Sequence, residues 1–449
     1  MKWKTAWLRS ILLSTALLDE LTFGFLVVGL PLARDAFGMT YEQVGLLFTV
    51  GAISALIIEP GINLASDHVS KRVPILGGMF ALVFAFALAG LTRNYALLLL
   101  AVALADPAIG AAVGLAQAAL VEQQPAIATR TLARWTLLSS VGDLLSPLVV
   151  AATAALGGGW TALSFVGASL WLAAACLTLP LRFPRPALAP PADDDETEGS
   201  FWASLWPSVR AALHDRVLLR WVGILVMATM VDEIFLGFTG LLLHDRLHAT
   251  IASVSLILAL GMIGGMVGLL VLERLLARAP QQPQVGIWLL PWLALMTLVG
   301  IAILLLAQTL WLAALALFVI GLGATGWYPV ARAATYDRLP GRAGLARAIT
   351  GLVMPLELML PALVGLLAER FSLVVALGFL GLAPMGVLLL APRVRAKAAT
   401  VSRETVAAFA RVRGARSSTP IGASPRNPRA TTRPKRSASR PTSAGRMSS

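Results

Sequence analysis

The chain has 449 residues, 57% of them hydrophobic and only 13% charged, about half the charged share of an ordinary soluble domain. A soluble fold of this length could not cover its core with so little polar surface. The formal charge of +13 invites a nucleic-acid reading. However, 14 Lys and Arg residues against the single acid Glu404 lie between Pro392 and Ser449, so the rest of the chain is neutral overall and offers no basic face to a phosphate backbone.

The N-terminus carries Lys2, Lys4 and Arg9 and then an apolar run. No small-residue cleavage site follows, so the run reads as an uncleaved first span rather than a leader. Runs long enough to cross about 30 Å of hydrocarbon recur along the chain. They cover 9–32, 42–66, 74–92, 96–120, 131–156 and 160–181, and then 218–243, 251–273, 285–307, 309–334, 344–368 and 371–391. Continuous runs of this kind predict helices rather than the alternating strands of a barrel. The expected fold is an all-α membrane protein of twelve transmembrane helices in two pseudo-symmetric six-helix bundles. Residues 1–181 form the first bundle and residues 218–391 the second. The linker 182–217 is Pro-rich, then acidic. Its Phe201, Trp202, Leu205, Trp206 and Val209 suit a short amphipathic helix at the membrane surface. The tail 392–449 is rich in Ser, Arg and Pro, and disorder is expected there. One cysteine, Cys176, excludes an intrachain disulfide.

Loop charges predict the orientation. Seventeen Lys and Arg residues fall on the side of the termini and linker, and four (Arg34, Arg93, Arg246 and Arg370) on the other. Bases concentrate on the cytoplasmic side, so both termini are expected there, in a plasma-membrane (bacterial inner-membrane) location.

The two halves repeat each other. Asp19-Glu20 with Gly24-Phe25 returns as Asp232-Glu233 with Gly237-Phe238. Glu122 and Pro125 return as Asp337 and Pro340, and Arg134, Asp143 and Pro147 as Arg347, Glu357 and Pro361. The offsets are 213 to 215 residues, in the same order each time. A parallel repeat of this kind implies a pseudo-two-fold axis along the membrane normal, with a binding site at the midplane between the halves.

The chain resembles the major facilitator superfamily over roughly residues 5–395. Between spans 2 and 3 it reads Asn63-Leu64-Ala65-Ser66-Asp67-His68-Val69-Ser70-Lys71-Arg72. The acid and the basic pair match that superfamily's marker, whereas both glycines and the first arginine are replaced. Span 5, with Ala133-Arg134-Trp135-Thr136 and Ser146-Pro147, resembles a subset of bacterial members. The sugar-porter and peptide-transporter signatures are absent. In span 5, Ser146 replaces the glycine of the antiporter signature. The resemblance implies that spans 1, 4, 7 and 10 line a cavity for a small-molecule substrate. It favours Asp19 or Glu20, Asp106, and Asp232 or Glu233 as cavity residues. It also makes Asp67, Lys71 and Arg72 a cytoplasmic gate, to which Glu59 and Arg134 are candidates for joining.

Ionisable groups inside a span are expensive unless paired or wet. Asp19, Asp143, Asp232, Glu233 and Glu357 fall near the midplane by helical rise, and Asp106 lies mid-span beside Pro107. Acids outnumber bases at this depth; the one evident base within a span, Arg332, lies toward the cytoplasmic end of span 10. Such carboxyls could load and release protons, and an anionic cavity would suit a cationic or amphipathic solute. The alternative for each is structural: adjacent residues on a helix point about 100° apart, so one member of each Asp-Glu pair could bond a neighbouring span. The expected function is proton-coupled efflux of a hydrophobic or cationic compound by a monomer. Uptake of a sugar, nucleoside or other metabolite is the alternative, as is a membrane sensor without flux. Neither a nucleophile–base pair nor a phosphate loop is evident, so no enzyme, cofactor or metal site is expected. His244 and His248 read as loop residues beside Asp245.

Overall fold

The computed structural model describes residues 2–68, 70–123, 128–181, 183, 214–278, 285–338 and 354–391. The linker helix expected near 201–209, the basic tail, and the repeat residues Pro125, Pro340 and Arg347 lie outside them. So do the side chains of Asp67 and Asp337. Among the described residues every regular element is helical. In hydrocarbon a helix satisfies its own backbone hydrogen bonds, which is why apolar runs of this length fold this way. Among the described residues eleven stretches are long and apolar enough to span a membrane. The run expected as the eleventh span, 344–368, is described only from Met354.

The first half contains α1 (Lys2–Val28), α2 (Leu30–Phe37), α3 (Tyr41–His68), α4 (Arg72–Leu91), α5 (Tyr95–Ile109), α6 (Leu115–Gln123), α7 (Ala128–Ala155) and α8 (Trp160–Thr178). A single π turn, Gly110–Gly114, joins α5 to α6 within span 4. The second half contains α9 (Arg216–Met230), α10 (Glu233–Leu247), α11 (Ile251–Arg278), α12 (Val285–Leu306), α13 (Leu310–Ala324), α14 (Trp327–Arg338), α15 (Met354–Arg370), α16 (Leu373–Leu380) and α17 (Leu382–Leu390).

Helix starts follow local chemistry. At the base-poor end the Asn94 side chain accepts from the Ala96 amide at 2.8 Å, Thr309 from Leu312 at 3.4 Å and Ser372 from Val375 at 3.2 Å. Asp215 caps α9 at the other end by accepting from Val217 and Leu218. Each supplies an acceptor to an otherwise orphaned first-turn amide.

Packing is mostly within halves: α1 against α7, α4 against α5 and α8, and α11 and α12 against α13. Two long contacts cross between halves, α3 with α15 (spans 2 and 11) and α7 with α11 (spans 5 and 8). Exchanging the halves turns one of these contacts into the other. One buried cluster, around Leu12, Met79, Leu82 and Trp171, belongs to the first half. A second, with Phe25, Leu30, Phe235, Phe238 and Trp327, draws on both.

Four of the expected spans are not continuous, the first of them span 1, which breaks at Gly29 between α1 and α2. Span 7 breaks at Val231–Asp232, between α9 and α10. Span 10 breaks at Thr325–Gly326, between α13 and α14, and span 12 bends at Gly381. His244 and Asp245, read from the sequence as loop residues, lie in the last turn of α10. His248 caps that helix with left-handed backbone, φ 50°.

Candidate functional site

The break in span 7 determines what faces the interior. The Val231 amide turns back to the Ala228 carbonyl at 3.2 Å, and helix resumes with the Leu236 amide on the Asp232 carbonyl at 3.0 Å. Asp232 and Glu233 therefore sit at the positive N-terminal end of α10, where a carboxylate is favoured. The carbonyl end of α9 lies next to them, and such half-helix ends are places where cations are held in transporters.

A cavity of about 340 Å³ opens beside this break. Its charged lining residues are Glu20 of α1, Asp143 of α7, and Asp232 and Glu233. No Lys, Arg or His is among its lining residues. Glu20 is half-buried, while the other three are exposed to the cavity. Glu20 of α1 and Asp143 of α7 thus bring two carboxyls of the first half to one cavity. In the continuous α1, Glu20 lines the cavity and Asp19 does not. At the break in span 7 both members of the pair reach it, because the helical 100° rule no longer applies there.

The wall facing the acids is apolar. Met262, Met266 and Leu269 of α11 stand with Leu317 and Ile320 of α13. Gly264 and Gly268 lie against the backbone at Phe318 and Leu322, so a Cβ at either would overlap the neighbouring helix. The Thr325 hydroxyl donates to the carbonyls of Gly265 and Gly321, each at 3.1 Å. Small residues permit this backbone approach, which drives helix association in lipid.

The other predicted acids lie elsewhere. Asp106 seats its carboxyl on Gly51 of α3, and Glu59 of α3 seats its own on Gly110 at the π turn. Spans 2 and 4 thus each use a glycine to receive the other's acid. Asp106 also edges a small apolar pocket with Phe86 and Trp160 and lies within electrostatic reach of Asp19 and Glu59. Glu357, in the first turn of α15, accepts from the Thr229 hydroxyl at 3.4 Å. At the base-rich end Lys71 pairs with Glu122, Arg72 donates to the Leu179 carbonyl, and Arg134 is exposed.

The Major Facilitator Superfamily family model matches residues 12–356. The chain belongs to the major facilitator superfamily. No curated protein matches it by sequence. Among solved structures it is similar to the nucleoside transporter NupG, with a TM-score of 0.66 at 13% identity, covering 85% of this chain and 98% of that one. A bacterial homolog of the human lysosomal transporter Spinster, inward-facing and occupied, gives 0.68 at 13% identity over 86% and 96% of the two chains. Its unoccupied inward-facing form gives 0.65 at 15% over 87% and 97%. At these identities the likeness is one of fold. This major facilitator chain is therefore a multi-pass membrane transporter by family, and such transporters act on small molecules within the membrane.

Two parts of the architecture were missed at the sequence level. In the sequence Gly264, Gly265 and Gly268 are simply small residues of span 8, yet the helices they join form one wall of the cavity. Arg34 and Arg246 were read as loop charges. Arg34 in fact reaches Asp245, 211 residues away in sequence.

Proposed function

We propose that this protein is a proton-coupled exporter of small amphipathic cations, working by alternating access between two six-helix bundles, residues 1–181 and 218–391, that together provide twelve spans. The observation that carries this reading is the cavity in which Glu20 and Asp143 of one half meet Asp232 and Glu233 of the other with no base among the lining residues. A cation entering it is held by carboxylates, while Met262, Met266 and Leu269 accept its apolar body. Protons compete for the same carboxylates. A site that holds either protons or the cation exchanges one for the other, and an inward proton gradient then drives the cation out. The reciprocal contacts of spans 2 and 11 and of spans 5 and 8 support the two-bundle arrangement.

The seventeen-to-four bias of bases puts both termini and the linker in the cytoplasm of a plasma-membrane protein. One chain supplies the whole pathway as a monomer. Asp19 and Asp106 serve the first half as additional proton-holding groups, and Glu357 braces span 11 against span 7. Lys71 and Arg72, with Asp67, Glu59, Glu122 and Arg134, form the cytoplasmic gate region.

The test uses inside-out vesicles holding a pH gradient read by a quenched dye. Cationic amphiphiles and neutral nucleosides or sugars are added in turn. Cation-triggered proton efflux that disappears in Glu20→Gln and Asp232→Asn establishes exchange at this site. A response to neutral nucleosides alone establishes uptake of metabolites instead. No response to any compound by inserted, folded protein removes proton exchange.

A further inference from the structure

The base-poor end, the outer one in the proposed orientation, carries a polar cluster that joins the halves. Arg34 of α2 donates to Asp245 Oδ2 of α10 at 2.7 Å, and the Tyr41 hydroxyl donates to the same oxygen at 2.5 Å. The guanidinium lies 4.4 Å from the Tyr41 ring centroid. Arg34 Nε also donates to the Met39 carbonyl at 3.2 Å, which fixes the turn before α3. Beside this group His244 meets Asp35 at 3.1 Å, and the Tyr41 amide donates to Glu369 at 2.9 Å. The side chains of Arg34 and Asp245 are 24% and 22% exposed, so their pair is shielded beyond the level at which surface ion pairs contribute little. A carboxylate oxygen that receives one charged and one neutral donor is held by charge-assisted hydrogen bonds, the stronger kind.

Asp245 also has a position that matters for coupling. Helix α10 runs unbroken from Glu233 at the cavity to Leu247. The twelve residues between Glu233 and Asp245 span about 18 Å at helical rise. One rigid element therefore carries a cavity acid at its inner end and the cluster's acceptor at its outer end. An element that two sites both bias is the physical form that coupling between them takes.

We propose that Asp245, held by Arg34 and Tyr41, is the keystone of an outer latch that closes the cavity from outside, and that α10 ties this latch to occupancy at Glu233. The latch depends on alternating access alone and stands whether or not protons are the coupling ion. Opening the outer face separates α2 and α3 from α10, which breaks both hydrogen bonds to Asp245 together.

The test reads distance rather than flux, so its failure is separate from failure of the exchange reading. Spin labels at Leu156→Cys and Gln308→Cys, on outer loops of opposite halves in a Cys176→Ser background, are measured by pulsed dipolar spectroscopy in nanodiscs. The parent gives a short distance. Asp245→Asn and Arg34→Gln are each expected to add a longer distance, raising the open-to-closed ratio about tenfold. Tyr41→Phe, which removes only a hydroxyl, gives a smaller shift in the same direction and keeps the test decisive if a charge variant fails to insert. The short distance persisting unchanged in all inserted variants overturns the latch. Coupling is read on the parent by adding the cationic amphiphile that the vesicle assay identifies, or tetraphenylphosphonium. A change in the ratio that Glu233→Gln abolishes supports the α10 link, and the same change in Glu233→Gln overturns it.

Discussion

Spans 2 and 11 cross at Gly45 and Gly365 without room for a side chain, and Gly45→Ala tests whether that crossing holds the outer face shut. A Cβ added at Gly45 would lie 3.0 Å from Ala362 Cα and closer still to the Pro361 carbonyl oxygen. Carbon atoms attract best at about 3.5–4.0 Å, so the helices must part by roughly 0.5–1 Å. The Ala362 amide donates to the Thr49 hydroxyl at 3.2 Å across the same crossing, and that separation takes it out of hydrogen-bond range. Overpacking costs about 1–3 kcal/mol and a hydrogen bond about 1 kcal/mol, so the closed face loses about 2–4 kcal/mol. At about 1.4 kcal/mol per tenfold, the open-to-closed ratio rises by thirtyfold or more. The assay is labelling of Leu236→Cys, a cavity position, by a membrane-impermeant maleimide added outside cells, with Cys176→Ser as background. Gly45→Ala should speed labelling by at least tenfold. An unchanged rate, in protein that inserts normally, would refute the reasoning.

Other outcomes follow from the site. Glu233→Gln and Asp232→Asn should lower cation-driven proton flux at least tenfold without loss of membrane insertion, checked in the vesicle assay. Affinity for the cation should fall as pH falls, because a protonated carboxyl no longer offers charge to it; isothermal titration in detergent at pH 8 and pH 6 reads this, and tighter binding at pH 6 would contradict the exchange reading. Gly321→Val should cost about 1–3 kcal/mol by forcing α13 away from α11, seen as a thermal melt several degrees lower. Trp171→Ala should cost about 3–5 kcal/mol for a large buried ring, since Trp171 is fully buried and its indole donates to the Thr22 hydroxyl at 3.1 Å.

Much of the helical plan is legible because a bilayer allows few solutions. Long apolar runs must be helices, and the runs beginning near Tyr41, Arg72, Tyr95 and Trp160 match helices in the structure to within a few residues. Glu20 and Asp143 are conspicuous for the same reason, as charge placed where charge is costly. The break after Val231 is not legible from breakers, since Met230-Val231-Asp232-Glu233 contains neither Gly nor Pro. The available signal is Asp232 itself, a residue type favoured just before a helix starts, although here its side chain caps nothing. Asp106 and Glu59 stand out in the sequence as acids within spans, but periodicity cannot tell that each rests on a glycine of the other's span. The Arg34–Asp245 pair is invisible for a simpler reason: nothing local to either residue encodes a partner 211 positions away.

The glycine seam between α11 and α13 has a consequence for selectivity. Two helices locked backbone to backbone, with the Thr325 hydroxyl bridging them, behave as one stiff plate. A plate cannot bulge to admit a bulkier guest. Accommodation must come from the thioether arms of Met262 and Met266, which swing through many rotamers at little cost. The transporter should then tolerate wide variation in the shape of a guest's greasy portion while holding its overall girth to a fixed ceiling, like a slot with bristles on a steel jamb.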